Sequence, residues 1–450
     1  MHRTPPVVSG LRISGPLREK NTIKLLVDLS REHGDTIHFK FLHREAWFFS
    51  HPDDIQTILQ DRPLSFLRGD SHQTVPIKPI LGDGLVTTDG EMWQHQRKVV
   101  RPALAQVALG RMDEVMVAAA DRMLDRWELR ARTGQPIELL QEIQELTLRI
   151  TCEVLFGYTL EGAELARTRT SLLLAQDIVA EKVFAGLLVP HSVPTPKHLA
   201  LKREMAWLGG LAERMIAQAR ERQGESFLQR LLSHTEADAE LAITGQQVQD
   251  HILTMLVAAS ENTANTLVCA LHVLASHPAV EERLRSEIAT VLGGRAPETT
   301  DLAALSYADM VIRETLRVYP GAWGLNRRAL KEEEIRGCVV PAGAQLIFSA
   351  WITHRHPDFW RDPETFDPER FASQRRAALH PFAWWPFGGG PRTCIGRHLA
   401  MTQTMLLLTR IVQRTRVRLP AAPLPIVPRM VIRIQGPLWA RPEPTPMGAA

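Results

Sequence analysis

Apolar residues follow two rhythms along this chain. TIHFKFLHREAWFFS, residues 36 to 50, alternates polar and apolar positions, the two-residue period of half-buried paired strands. HPDDIQTILQ then reads as a helix after a turn. From about 90 to 320 the period is three to four. RMDEVMVAAADRMLDRWELRA and IQELTLRITCEVLFG both carry an apolar helical stripe. VPHSVPTPKHLA, with three prolines, reads as a loop between helices. The longest helix is predicted from Thr244, whose T-x-x-Q spacing to Gln247 makes a capping box, to about Ser276 before His-Pro. Some 32 residues at about 1.5 Å each reach about 48 Å, enough to cross a domain. Its middle should be apolar, yet it reads LVAASENTANTL. Glu261 and Asn262 there cost several kcal/mol if buried without partners or a task.

Past 320, proline and short strand patterns take over in IRGCVVPAGAQLIFSAW and the loop-rich HRHPDFWRDPETFDPERF. A last helix follows at 397–414, and RPEPTPMGAA at 441–450 reads as a flexible tail. No repeat or linker divides the chain. The expectation is a mainly α fold with a minor β portion (α+β), one domain over 1–450, β-rich at 36–60 and about 320–360.

Composition narrows the function. Lys+Arg 53 against Asp+Glu 50 leaves a net charge of +3, so no global field favours nucleic acid. The N-terminal MHRTPPVVSGLRISGPLREKN holds no membrane span or signal-peptide core, which predicts a cytoplasmic protein. Cys152, Cys269, Cys338 and Cys394 lie far apart, neither a disulfide framework nor a zinc site.

Cys394 stands in FGGGPRTCIGRHLA, residues 387 to 400. A lone cysteine is commonly a small buried hydrophobe, but these neighbours suit a bound thiolate. Glycines 388, 389, 390 and 396 would let main chain approach the sulfur, Arg392 adds charge, and a helix begins just after it.

FGGGPRTCIG resembles the F-x-x-G-x-R-x-C-x-G haem-binding signature of the cytochromes P450, at Phe387, Gly390, Arg392, Cys394 and Gly396. ETLR (Glu314 to Arg317) resembles the family's E-x-x-R pair, and PERF supplies Arg370 as the third member of that ion-pair triad. The resemblance runs over nearly the whole chain. It implies the P450 fold, a long helix over the haem, and haem b held by the Cys394 thiolate with Phe387, Gly388 and Gly396 in its loop. Trp93 and Arg97 of WQHQR, Arg327 and Arg392 are implied propionate partners, since two buried carboxylates need fixed cations. Arg328 is expected at the surface.

AASENT, residues 258 to 263, resembles [AG]-G-x-[DE]-T-[ST] and departs from it at Asn262, where threonine is usual. The resemblance implies catalytic roles for Glu261, Asn262 and Thr263, with Asn262 facing dioxygen and Glu261 facing a water chain. Leu256, Ala259, Ala322, Trp323 and Met430 are the implied substrate contacts, from a pocket built by the 64–80 loop, helices around 171–190, the long helix, residues 321–325 and the turn near Met430. Leu172, Leu173 and Phe184 read as ordinary core.

Cysteine donation favours O–O cleavage after O2 is bound and reduced. The implied activity is a monooxygenase that hydroxylates or epoxidises a lipophilic terpenoid, fatty acid or polyketide of secondary metabolism. Ferredoxin and a ferredoxin reductase would pass electrons, using NAD(P)H only indirectly, with docking at Arg97, Lys98, Arg101 and Arg397. The alternatives are coupling or rearrangement without net oxygen insertion, which Asn262 favours, and a haem-based sensor.

Overall fold

The computed structural model describes residues 4–9, 22–41, 44–68, 74–107, 112–185, 195–222, 224–237 and 242–445. Its axis is the helix Gly245–Ser276, capped as the sequence predicts. The Thr244 side chain accepts from the Gln247 N–H, and Gln247 accepts from the Thr244 N–H in return. Leu139–Phe156, Arg397–Arg414 and Ser306–Val318 pack around this helix. Leu256, Leu267, Val268, Ile143 and Leu406 lie within one continuous core there.

Beside the helices lies a six-stranded sheet, in the order Val7–Ser9, Thr36–Phe41, Arg44–Phe49, Gln345–Phe348, Leu325–Ala329, Phe66–Leu67. Thr36–Phe41 and Arg44–Phe49 are antiparallel, as their alternation predicts. Leu325–Ala329 is antiparallel to Gln345–Phe348, with Arg327 opposite Leu346. Alternate residues of a strand share a face. Leu325 and Arg327 therefore both reach the central cavity, while Arg328 does not line it and is half-buried rather than exposed.

Three expectations need correction. HPDDIQTILQ is helical at Pro52–Gln56 but widens into a π turn at Thr57–Asp61. The predicted 189–200 loop ends early: its third proline, Pro196, opens the helix Pro196–Glu221, and the Thr195 hydroxyl accepts from His198 N–H at 3.2 Å. The predicted tail at 441–450 is strand as far as Pro444, in Trp439–Pro444. Arg441 pairs with Arg418 and Pro444 with Thr415. Thr445 N–H points at the Arg414 carbonyl, so the even positions turn outward. Pro442 and Pro444, which have no N–H, therefore sit where no ladder bond is needed. Residues 446–450 lie outside the described residues.

Ser306–Val318 carries the E-x-x-R pair in full burial. Arg317 Nε and Nη2 donate to the two Glu314 oxygens at 2.7 Å each. Arg317 also donates to the carbonyls of His354 (3.1 Å), Pro363 (2.7 Å) and Thr365 (3.1 Å). Arg370 Nε lies 3.4 Å from Glu314 Oε1, and Asp367 N–H donates to that oxygen at 2.9 Å. The pair thus fastens the strand-poor 354–370 segment to the helical core. Glu314→Ala would strand a buried guanidinium, at a cost of about 3–5 kcal/mol. Thermal unfolding of the holoprotein should show a large drop in midpoint, and an unchanged midpoint would remove this fastening role.

Candidate active site

The 387–396 loop is folded by its own backbone. Gly388 N–H donates to Trp385 O at 2.9 Å, Thr393 N–H to Gly390 O at 3.0 Å, and Cys394 N–H to Phe387 O at 2.9 Å. The glycines serve packing more than the sulfur. A Cβ on Gly390 would stand 1.8 Å from Leu59 O, on the π turn, and one on Gly389 would stand 2.4 Å from the Phe382 ring. Gly388 and Gly390 also have φ of 70° and 63°, the left-handed region that glycine tolerates best. Gly396 is different: it precedes the helix Arg397–Arg414 and has open space beside it.

Burial pushes the Cys394 thiol pKa up, against the opposing pull of the Gly396 N–H and of Arg97 and Arg397. Cys394 is exposed, and its surface opens on a large, mainly apolar cavity. Phe387, Gly388, Arg392, Cys394 and Gly396 line one part of that cavity, and Ala258, Ala259, Asn262, Thr263 and Thr266 of the long helix line another. Ala258 is exposed although mid-helix, because it too faces this space.

Arginines mark the cavity's rim. Arg392 pairs with Asp89, donates to Thr88 O at 2.7 Å, and lies 4.2 Å from the Trp93 ring centroid. Arg97 lies 5.4 Å from the same centroid and reaches toward Thr393 O at 3.4 Å. Arg327 donates to Asn326 O at 2.7 Å. Its pKa is pushed down to about 9 by burial, and further by Arg68 and Arg392. Burial likewise takes Arg392 down to about 10, with Asp89 opposing. Arg68, which sequence reasoning missed, lines the cavity as well. LSFLRGD carries no motif. Only the pairing of Leu67 with Arg328 and of Phe66 with Ala329 brings Arg68 beside Arg327.

Successive helical residues turn about 100°, and the long helix divides its polar residues accordingly. Asn262 and Thr263 join Cys394 at the cavity; Glu261 does not. Its Oε1 accepts from Arg433 Nε at 2.9 Å, and Arg433 Nη1 donates to Asp177 at 2.6 Å. The expected water-facing acid is instead one member of an ion-pair cluster joining this helix, the helix Gly162–Ala185 and the strand Ile432–Ile434. Of the predicted substrate contacts, Ala259 and Ala322 line the cavity. Leu256, Trp323 and Met430 do not. Leu256 is fully buried in the core, Trp323 Nε1 donates to Arg429 O at 2.7 Å, and Met430 packs on the cluster of Ile77, Ile80 and Ala175. Leu172 is core, and Leu173 lines a small crevice beside Glu261. The Phe184 side chain and residues 69–73 and 186–190 lie outside the described residues. Arg101, Lys98 and Arg397 are exposed, whereas Arg97 is turned toward the cavity.

Comparison with known proteins decides the family. The cytochrome P450 profile matches residues 5–438. The chain is a cytochrome P450. Cyclooctat-9-en-7-ol 5-monooxygenase of Streptomyces melanosporofaciens is 30% identical over 388 residues, 86% of this chain and 83% of that one. Cyclooctatin synthase of the same organism is 30% identical over 97% of this chain and 94% of its own. Pentalenene oxygenase of Streptomyces avermitilis is 30% identical over 86% and 84%. This P450 is accordingly a haem-iron oxidoreductase of monooxygenase type. Among the described residues no helix is long and apolar enough to cross a membrane.

The residues present fit a haem. Arg68, Arg97, Arg327 and Arg392 line one cavity, with Asp89 paired to Arg392, and the Arg327 pKa is depressed first by burial and then by repulsion from Arg68 and Arg392. A buried dianion beside them relieves it, which is what two propionates supply. The raised Cys394 pKa favours the neutral thiol, which a coordinated metal ion would deprotonate outright. Trp93 presents its ring face to two of these guanidiniums, so its contribution includes holding them.

Arg327→Met separates the two states. Without haem, removing a buried cation should raise the unfolding temperature of the apoprotein. With haem, the same change should speed haem transfer to an acceptor globin several-fold. Equal transfer rates would exclude Arg327 from holding the propionates.

Proposed function

We propose that this P450 hydroxylates or epoxidises a lipophilic terpenoid in secondary metabolism, as one catalytic domain acting in the cytoplasm. The observation that carries the reading is the apolar wall of Ala258, Ala259 and Ala322 in the same cavity as Cys394. Small side chains there leave room for a bulky ring system near the sulfur's metal. Bound against Cys394, haem supplies the activation of O2. The chain's own residues hold it and shape the space beside it. Arg68, Arg97, Arg327 and Arg392 anchor its carboxylates, and Leu85, Val86 and Leu325 keep the cavity largely apolar. Pentalenene and cyclooctat-9-en-7-ol, named for two relatives, are cyclic skeletons with at most one hydroxyl, which suits such walls.

The second reading, coupling or rearrangement without oxygen insertion, is supported by Asn262. Its Nδ2 is committed to Ala258 O at 3.1 Å, so the position offers no hydroxyl for passing protons. The neighbouring Thr263, which carries a hydroxyl, lines the same cavity and supports the first reading. Products formed under labelled O2 separate them. One labelled oxygen in the product is expected, and unlabelled product formed at the full rate favours coupling or rearrangement.

Electrons are to come singly from a separate ferredoxin and its NAD(P)H-dependent reductase. Lys98, Arg101 and Arg397 give an acidic donor an exposed basic approach to the cysteine loop. Reduction by ferredoxin should slow as salt rises past about 0.15 M, where screening acts within about 8 Å. Lys98→Glu with Arg101→Glu should slow it about tenfold without changing substrate affinity. Rates equal to the parent's at every salt concentration would rule out this docking face.

A further inference from the structure

Asn262 forms part of the cavity wall between Ala259 and Thr263, and its amide is not free to turn. Nδ2 donates to the Ala258 carbonyl at 3.1 Å. Reversing the amide would set two carbonyl oxygens against each other, so this bond fixes which end is oxygen. Oδ1 lies at the opposite wall: a Cβ on Gly321 would stand only 2.6 Å from it. Gly321 and Asn262 both line the cavity, and no described group donates to Oδ1. Ala258, Ala259 and Ala322, which cannot donate from a side chain, line the same cavity, as do Thr263 and Thr266. An acceptor with two lone-pair sites is thus left facing a largely apolar cavity, where a donor on a bound ligand can reach it.

We propose that Asn262 Oδ1 is a specificity-determining acceptor for a hydroxyl on the substrate, so that this P450 takes a terpenoid alcohol rather than a bare hydrocarbon. The inference rests on the terpenoid reading above and adds the functional group and the atom that reads it. Because Nδ2 is spent, Asn262 selects a donor. A ketone or an ether in the same place meets lone pairs with lone pairs. Gly321 stays without a side chain because a methyl group there would press on Oδ1 and close its approach. One hydrogen bond anchors one end of the molecule and so fixes which carbon lies nearest Cys394.

The test uses holoprotein and matched probes: cedrol, patchoulol and borneol, each with its methyl ether and its parent hydrocarbon. Dissociation constants are read by calorimetry and by the haem absorption shift. A net hydrogen bond is worth about 1 kcal/mol, and each 1.4 kcal/mol is tenfold, so alcohols should bind about five- to tenfold tighter than their ethers. In Asn262→Ala the alcohol-to-ether ratio should fall toward one, and Gly321→Ala should lower it as well. The ligand comparison in the parent protein stands even if a variant folds poorly. Equal affinities for alcohol and ether in the parent, or a ratio preserved in Asn262→Ala, overturns the inference. Hydrocarbons and ethers that bind as well as alcohols would leave the terpenoid reading standing and this inference refuted. Failure of every probe to bind would refute both.

Discussion

A negative sulfur and buried carboxylates cannot be held inside a protein without fixed positive charge, and most of this fold is arranged to supply it. Cys394 sits at the start of a helix; burial pushes its pKa up, and the Gly396 N–H, Arg97 and Arg397 oppose that. Arg327 and Arg68 come from neighbouring strands of the main sheet region, Arg392 from the cysteine loop, and Arg97 from the helix Gly90–Val107. Four separate parts of the chain thus converge on one cavity. Burial depresses the Arg327 and Arg392 pKa values, and repulsion among these cations adds to it. Haem propionates would offset that cost, which would link cofactor binding to stability.

Rigid positioning comes from a second set of buried charges. The fully buried Glu314–Arg317 pair bonds to four backbone groups, of His354, Pro363, Thr365 and Asp367, and holds the 354–370 segment in place. That segment leads into the cysteine loop. The loop in turn leans on the π turn through Gly390, with no room for a side chain between them. A wider turn at Thr57–Asp61 is therefore part of how the sulfur is placed. The Glu261–Arg433–Asp177 cluster plays a similar part on the other side, tying the long helix to elements near the substrate space.

What the sequence made legible was local. The capping box at Thr244, the Cys394 loop and the alternating strands at 36–49 each announce themselves within a few residues. What it hid depended on register and tertiary contact. Arg68 becomes a cavity residue only because Leu67 pairs with Arg328. Glu261 was assigned to water because its ion-pair partner, Arg433, lies far off in sequence on a short strand. Leu256, Trp323 and Met430 are apolar and near the right elements, but side-chain direction, not neighbourhood, decides what lines a cavity. The glycines of the loop were read as room for the sulfur when two of them make room for Leu59 and Phe382.

The central claim is that Cys394 binds haem iron as a thiolate, stabilised by the cations around it. The absorption spectrum of the dithionite-reduced, CO-bound holoprotein tests it most directly, compared with Cys394→His under the same conditions. Thiolate ligation predicts a strongly red-shifted Soret band in the parent, and its loss in the variant although haem is retained. The same red-shifted band in both proteins, or its absence from a fully haem-loaded parent, would contradict the account.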